Sequence, residues 1–176
     1  NIQKFRAKQL IDYIYHRYIF DFEDMTQFPK DLRQWLGDNC VISLPTIITE
    51  SIAPDGKTRK ILVEMSDQSR VEAVLMEQHY GYSVCVSSQV GCAMGCVFCA
   101  STQGGLYRDL TVAEIIGQVV IFGALTKEEI HSVVVMGAGE PLQNYDNVLQ
   151  ALQLLHDPMI CNISYRKMTI STCGWV

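Results

Sequence analysis

Hydrophobic spacing in the first 45 residues predicts two short helices. In the first, apolar side chains recur at three- and four-residue intervals, as on one face of a helix. They are Ala7, Leu10, Ile11, Ile14 and Tyr18. A second helix is predicted after Pro29, with Leu32, Trp35 and Leu36 on its apolar face and its end at Gly37. We expect residues 1–45 to form a small helical appendage.

Between residues 46 and 80 the pattern changes to one typical of strands. β-Branched side chains become frequent there. They include Ile47, Ile48, Ile52, Ile61, Val63, Val71 and Val74. The dipeptide Asp55-Gly56 separates two of these runs and predicts a tight hairpin turn. We therefore expect a short antiparallel β unit over 46–80.

From residue 81 to residue 176, predicted strands alternate with predicted helices. The strands are Ser83–Val86, Ser132–Met136 and Met168–Thr172. A capping box at Thr111–Glu114 begins one helix, and Asn144 is predicted to cap another that ends before Pro158. This alternation predicts an α/β fold with parallel strands and right-handed crossovers. Three parallel strands are too few to close a barrel.

Composition narrows the class of protein. The chain has 176 residues, a net charge of −5 and 48% hydrophobic residues, which excludes a disordered chain. No apolar run reaches the roughly 18 residues that span a bilayer, and the first six residues lack the apolar core of a secretory signal. We expect a cytoplasmic protein without membrane association. Net charge is +1 over residues 1–60 and −6 over 61–176, so any contact with nucleic acid must be local.

The chain has seven cysteines, an odd number, and three of them lie within eight residues. An extracellular disulfide framework would favour an even, dispersed set, so we infer a reducing compartment. The three are Cys92, Cys96 and Cys99, in a C-x3-C-x2-C pattern. A structural zinc site needs a fourth ligand, and neither His79 nor His131 has the usual spacing. Three thiolates suit a 4Fe-4S cluster with one open iron, which we favour over zinc and over unliganded thiols.

A glycine-rich segment, Gly137–Glu140, follows the second parallel strand. Ligands of parallel α/β folds bind beyond the carboxyl ends of their strands. The segment does not match the dinucleotide-binding fingerprint, because Leu142 stands where a third glycine is needed and Pro141 lacks an N–H donor. It is either a ligand-binding loop or a simple turn from strand to helix.

Together these motifs carry a resemblance. The cysteine pattern, with Phe98 before its last cysteine, resembles the radical S-adenosylmethionine superfamily. Flanking segments are similar to the RlmN/Cfr family of RNA adenine methyltransferases. These segments are Phe5–Gln9, Cys85–Cys92, Leu110–Val119 and Gly137–Asn144. They occur in the family's order over nearly the whole chain. Val90 and Pro141 are more similar to the branch that methylates carbon 2 of adenine than to the branch that methylates carbon 8.

The resemblance implies a fold and an activity. The fold would be the N-terminal half of a partial (βα)6 TIM-like barrel, with a helical appendage at 1–45, a β extension at 46–80 and an incomplete core at 81–176. The activity would be methylation of adenine carbon 2 in 23S rRNA and tRNA through a methyl-cysteine intermediate. It would require a 4Fe-4S cluster, S-adenosylmethionine and an electron donor such as flavodoxin, in a monomer. The methyl-carrying cysteine matches none of the seven present, so we expect this chain alone not to methylate RNA.

The resemblance also assigns roles to single residues. Gly139, Glu140 and Ser171 would bind S-adenosylmethionine, with Glu140 facing its ammonium group. Glu72 would be the general base in an apolar, pKa-raising environment, although a solvent-facing strand residue is the alternative. Cys85 would resolve the RNA adduct by pairing transiently with a downstream cysteine, although a small packing residue is the alternative. The remaining cysteines are expected to be packing thiols. These are Cys40, Cys161 and Cys173.

Three alternatives stay open from the sequence. The chain could belong to a carbon-8 methyltransferase, to another radical S-adenosylmethionine enzyme, or to a zinc-binding module without catalytic activity. The helical appendage could be a packing unit only, or it could also contact RNA.

Overall fold

The computed structural model describes residues 3–175, which form four α-helices and eight β-strands. The helices are α1 (Lys4–Tyr15), α2 (Lys30–Asn39), α3 (Val112–Thr126) and α4 (Tyr145–His156). The first four strands are β1 (Thr46–Ile52), β2 (Thr58–Glu64), β3 (Arg70–Gln78) and β4 (Gly81–Val86). The others are β5 (Gln89–Gly91), β6 (Leu106–Asp109), β7 (Ile130–Val135) and β8 (Met168–Ile170). None of these helices is long and apolar enough to cross a membrane.

Six strands form one mixed sheet in the order β1-β2-β3-β4-β7-β8. Strands β1 to β4 pair antiparallel, whereas β4, β7 and β8 are parallel and are connected through α3 and α4. This confirms the predicted α/β class, the hairpin at Asp55-Gly56 and the three parallel strands. Each predicted strand differs from the observed one by two residues or fewer at either end.

The two faces of this sheet differ in whether helices pack against them. The face toward α3 and α4 carries fully buried apolar side chains, such as Ile61, Val84 and Val133. The opposite face, called the open face below, carries alternate residues of the same strands. They include Leu62, Glu72, Val74, Cys85 and Val134, which pair across neighbouring strands. Polar and sulfur-containing side chains on this face are consistent with a binding surface.

Helix α3 is buried between the sheet and the N-terminal segment. Its mean hydropathy is high all round, as expected for a helix covered on several sides, and the residues from Ile115 to Gly123 are buried. Two glycines admit bulky neighbours. A Cβ at Gly117 would lie 2.7 Å from Pro45 Cδ, and one at Gly123 would lie 2.3 Å from the Tyr18 hydroxyl. The helical appendage therefore fits into notches of the core.

The helical appendage also has its own small core, formed by Tyr13, Met25, Phe28 and Leu36. A change from one core to another thus occurs near residue 45. In contrast, residue 80 lies inside the continuous sheet, because β3 and β4 pair directly and their side chains share one core. The three-part division at residues 45 and 80 stays a prediction.

Two local predictions were wrong, and a third, the cap at Asn144, is correct in position but not in its side-chain bond. Tyr18 lies beyond the end of α1, with φ of 54°. Helix α2 continues past Gly37 to Asn39, because Leu36 is anchored in the small core and the Asn39 amide donates to the Trp35 carbonyl at 2.8 Å. Asn144 precedes α4, but its side chain makes no cap bond. Instead, its Nδ2 donates to the carbonyls of Ser88 and Leu110, both at 2.8 Å.

Candidate cofactor site

The cysteine loop, residues 92–105, is closed at its base by a short strand pair that the sequence analysis missed. Strands β5 and β6 flank the loop and pair antiparallel. At this base Gly91 has φ of 75°, and a Cβ there would lie 2.0 Å from the Gly105 carbonyl oxygen. Only glycine permits this approach. The loop is therefore fixed at both ends by the backbone.

Inside the cysteine loop, the three thiols differ in exposure. Cys92 is buried, and its N–H donates to the Gly105 carbonyl at 3.0 Å. Cys96 and Cys99 are half-buried. Thr102 stabilises the turn between Cys92 and Cys96, since its hydroxyl accepts from Gly95 N–H at 2.9 Å and donates to the Cys92 carbonyl at 3.2 Å. The intervening side chains, Val97 and Phe98, are almost fully exposed.

These three thiols fit an iron–sulfur cluster in donor type and number, because thiolate sulfur is the usual protein ligand of such clusters. All seven cysteines are free. Across residues 3–175, no three cysteine, histidine or acidic side chains are gathered into a metal-binding group. In particular, neither His79 nor His131 completes a four-ligand zinc site with the thiols.

The glycine loop, residues 137–144, lies against the segment that leads into the cysteine loop. The Ala138 carbonyl accepts from the N–H groups of Ser88 and Gln89 at 2.9 and 3.1 Å. Gly139 has φ of 107°, and a Cβ there would lie 2.6 Å from Gln89 Cβ. A side chain at position 139 is thus excluded, and the backbone of the glycine loop packs directly against Ser88 and Gln89.

The Glu140 carboxylate is buried and fully engaged by hydrogen bonds. It accepts from the Thr172 hydroxyl at 2.6 Å, from Cys173 N–H at 2.9 Å and from Leu142 N–H at 2.9 Å. Burial opposes its ionisation, but bonds from Cys173, Thr172 and Leu142 prevail and lower the pKa of Glu140 from 4.5 to about 2. The carboxylate is therefore ionised at neutral pH. An ammonium ligand would have to replace or join these donors.

A cleft of about 590 Å³ on the open face brings predicted site residues together. Glu72, Cys85 and Cys99 all line it, beside Gly137 and Ala138 of the glycine loop. Because β3 is antiparallel to β4, the beginning of β3 lies at the carboxyl end of the parallel strands. That edge is where α/β folds bind ligands.

The environment predicted for Glu72 was wrong. Its side chain is 57% exposed and forms an ion pair with Lys60 at 2.8 Å, so it is not in an apolar environment. Leu62 lies opposite Glu72 on β2, while the buried neighbours Val71 and Ala73 point to the other face. The alternative of a solvent-facing strand residue is correct for its environment. Its role as a base stays a prediction.

Cys85 is half-buried on β4, next to Val74 of β3. Burial raises the pKa of its thiol, and a backbone hydrogen bond from Met136 opposes this shift. The group is therefore a protonated thiol at neutral pH. A thiol in this state donates a proton more readily than it attacks as a nucleophile.

The third predicted ligand-binding segment, which follows β8, also reaches the site. Ser171 is exposed, and its N–H donates to the Val135 carbonyl at 3.2 Å, while Thr172 and Cys173 contact Glu140. The prediction of packing thiols was wrong for Cys173 and Cys40, which are exposed. A hydrogen bond to Glu140 and partial desolvation raise the pKa of the Cys173 thiol, with a smaller effect from Cys96.

Five buried polar residues were not predicted to act at the site. They are Ser87, Ser88, Gln89, Gln118 and Asn144, all at most 3% exposed. The only sequence signal was a polar side chain inside an apolar helix or strand pattern, as for Gln118 in α3. Such a residue normally needs a hydrogen-bond partner, but the sequence does not say which.

Comparison with known proteins decides the family. The profile of the radical SAM superfamily matches residues 86–176. The chain belongs to the radical SAM superfamily. A second profile, the ribosomal RNA large subunit methyltransferase N-terminal domain, matches residues 1–42. Both matches confirm the resemblance inferred from the motifs.

Individual members of the superfamily are also similar to this chain. A probable dual-specificity RNA methyltransferase RlmN from Symbiobacterium thermophilum is 50% identical over 175 residues, which cover 98% of this chain and 47% of that protein. The corresponding Clostridium perfringens (strain 13 / Type A) protein is 46% identical, with 98% and 50% coverage. A radical SAM methyltransferase structure from Sphaerobacter thermophilus aligns with a TM-score of 0.91 and 36% identity, over 99% of this chain and 52% of that one. The chain spans about half the length of these relatives.

Proposed function

We propose that this chain is the cofactor-binding part of a radical S-adenosylmethionine methyltransferase that acts on carbon 2 of adenine in 23S rRNA and tRNA. The observation that carries the proposal is the single cleft lined by Glu72, Cys85 and Cys99. Similarity to proteins named dual-specificity RNA methyltransferases supports the substrate class.

Cys92, Cys96 and Cys99 would hold a 4Fe-4S cluster, and the glycine loop with Ser171 would hold S-adenosylmethionine. When bound, the cluster supplies the electron that cleaves the sulfonium of S-adenosylmethionine. The ionised Glu140 carboxylate gives the loop a negative charge that suits the ammonium end of the methionine. Because Gly139 has no side chain, the loop that would hold the cofactor packs directly against Gln89.

Two residues of the open face would take part in the reaction, Glu72 as a base and Cys85 as a resolving thiol. Glu72 would accept the carbon 2 proton of adenine, which requires its ion pair with Lys60 to open or shift toward solvent. The Cys85 thiol would then resolve the RNA adduct by transient pairing with a cysteine of the complete enzyme: its sulfur bonds to the sulfur of that cysteine as the carbon–sulfur bond of the adduct breaks, and a proton equivalent to the one that the thiol loses goes to the released carbon, which becomes the methyl group. Both assignments are supported by their shared position in the cleft.

The proposal includes the surroundings of the enzyme. A donor such as flavodoxin would supply electrons, and the protein would work as a monomer in the cytoplasm. These points follow from the family resemblance, and the seven free thiols support a reducing compartment.

Anaerobic reconstitution with iron and sulfide tests the cofactor assignment. We expect close to four irons and four sulfides per chain, and loss of most of both in Cys96→Ala. The matched control is Cys40→Ala, which removes an exposed thiol outside the cysteine loop and should leave iron and sulfide unchanged. Stoichiometric zinc without sulfide would contradict the proposal.

The RNA target is tested with the natural gene product that contains this sequence. RNA incubated with the enzyme and S-adenosylmethionine is digested to nucleosides and analysed by mass spectrometry. The expected product is 2-methyladenosine in both 23S rRNA and tRNA. An 8-methyladenosine product would instead place the protein in the carbon-8 branch.

A further inference from the structure

Three buried side-chain amides converge on the segment Ser87–Gln89, between β4 and the cysteine loop. They belong to Gln89, Gln118 and Asn144, which are 0%, 0% and 3% exposed. A buried amide is unfavourable unless its donors and acceptor are bonded. Each of these amides is hydrogen-bonded, and its partners include a backbone group of Ser87, Ser88 or Glu140. None of the three is used by the chemistry proposed above.

Gln89 connects the two loops directly. Its Oε1 accepts from Glu140 N–H at 2.8 Å, and its Nε2 donates to Asp109 Oδ1 at 2.7 Å. Gln89 lies three residues before Cys92 on β5, and Asp109 is its partner on β6. A single side chain therefore ties the backbone of Glu140 to the base of the cysteine loop.

The other two amides hold Gln89 in place. Gln118 accepts from Ser87 N–H at 2.8 Å and donates to the Ser87 carbonyl at 3.1 Å. Asn144 donates to the Ser88 carbonyl at 2.8 Å. The segment before Gln89 thus has its backbone polar groups fixed by α3 and by the residue before α4. The Gln89 side chain therefore has little freedom to follow a displaced Glu140.

We propose that Gln89 is a positioning residue that fixes Glu140 relative to the cysteine loop. It thereby sets the distance between the methionine end of S-adenosylmethionine and the cluster. This inference rests on the proposed function, in which Glu140 faces the ammonium group and Cys92 holds the cluster. Gln89 itself contacts neither group. We expect Gln89 to affect the affinity for S-adenosylmethionine and the change that S-adenosylmethionine binding causes at the cluster.

The test uses Gln89→Met, which keeps the volume and removes the side-chain hydrogen bonds to Glu140, Asp109 and Gln143. Reconstituted protein is examined for iron and sulfide content, for S-adenosylmethionine affinity by equilibrium dialysis, and for the change that S-adenosylmethionine causes in the EPR spectrum of the reduced cluster. We expect wild-type iron and sulfide, a dissociation constant raised at least tenfold, and a weakened spectral change.

A rescue variant separates positioning from general stability. Gln89→Glu combined with Asp109→Asn exchanges the donor and the acceptor of the bond between positions 89 and 109. The carboxylate at position 89 still accepts from Glu140 N–H, and the amide at position 109 donates to it. We expect affinity within about threefold of wild type. Gln89→Glu alone places two carboxylates together and should bind at least tenfold more weakly. These variants also decide the matter if Gln89→Met does not fold.

Gln118→Met is the matched control. It removes an equally buried amide whose partners, Ser87 and Glu114, do not include Glu140. If the two variants have equal melting temperatures, Gln118→Met should bind S-adenosylmethionine more tightly than Gln89→Met. Equal affinities for these two variants, or unchanged affinity in Gln89→Met, would overturn the inference. Failure of the wild-type chain to bind the cluster and S-adenosylmethionine would instead overturn the proposed function.

Discussion

The two loops of the candidate site differ in how far the protein alone has organised them. In the glycine loop, the Glu140 carboxylate and the Asn144 amide are buried and bonded. In the cysteine loop, Val97 and Phe98 are almost fully exposed and two thiols are only half-buried. The first loop is built from backbone and buried amides, whereas the second is held at its base and by the two hydrogen bonds of Thr102.

This difference has a physical reason. A backbone loop that approaches another segment closely must satisfy its polar groups inside the protein, so its partners are encoded in the chain. A loop whose ligating atoms await an inorganic group has no protein partner for those atoms. Metal-ligand bonds then complete the folding of such a loop. We infer that protein contacts preorganise the glycine loop, and we expect the proposed cluster to stabilise the cysteine loop further.

The largest expected effect is in hydrogen exchange. The amides of Ser87, Ser88 and Glu140 are bonded to buried partners and should be protected about a thousandfold or more relative to those of Val97 and Phe98. Exchange measured by NMR or mass spectrometry on the cofactor-free chain tests this. Similar protection in both loops would remove the contrast between them.

The next largest expected effect is a difference in the free energy of unfolding between alanine variants of two glycines with positive φ, one in each loop. Gly139→Ala places a Cβ 2.6 Å from Gln89 Cβ, whereas a Cβ at Gly95 meets nothing within 4 Å. We expect a loss of about 3–4 kcal/mol in the free energy of unfolding for Gly139→Ala, from crowding added to backbone strain. Gly95→Ala should lose about 1 kcal/mol, from strain alone. Urea unfolding measures both, and equal losses would contradict the structure.

Acid should weaken the glycine loop through Glu140. Its pKa is about 2 in the folded chain and 4.5 as an ordinary glutamate, so the stabilisation is present above pH 4.5 and is lost as pH falls toward 2. The loss is on the order of 2 kcal/mol. Glu140→Gln should remove this part of the pH dependence, measured by urea unfolding between pH 5 and 3. The control, Glu77→Gln at an exposed carboxylate of β3, should keep it.

The smallest expected effect is a difference in stability between two variants that each lose a hydroxyl group. Ser87 Oγ is buried, donates to the Glu72 carbonyl at 2.8 Å and accepts from Ala138 N–H at 2.9 Å. Thr102 makes two similar bonds in the exposed loop. We expect Ser87→Ala to cost about 2 kcal/mol and Thr102→Val less than about 1 kcal/mol, because water can replace the exposed bonds. A larger loss at Thr102 would mean that the cysteine loop is ordered without its cofactor.

Local sequence signals predicted much of the fold and part of the site. The capping box at Thr111 and Glu114 is present with both of its bonds, and the hairpin at Asp55-Gly56 is in place. These are short-range features whose partners lie within a few residues along the chain. The Asn144 side chain makes no cap bond, because its Nδ2 donates to two distant carbonyls and its Oδ1 accepts from Asn147 Nδ2 at 2.8 Å. Local spacing gives no information about the distant partners.

The sequence by itself determined the chemistry of this protein: three clustered thiols, a glycine loop after a parallel strand, and strands that alternate with helices. Each depends on residue type and on neighbours along the chain. Only the tertiary structure decided that Glu72 is exposed beside Lys60 and that Gln89 bonds Glu140. Those contacts join residues from 12 to 51 positions apart. Sheet register and loop packing set them, and neither follows from local spacing.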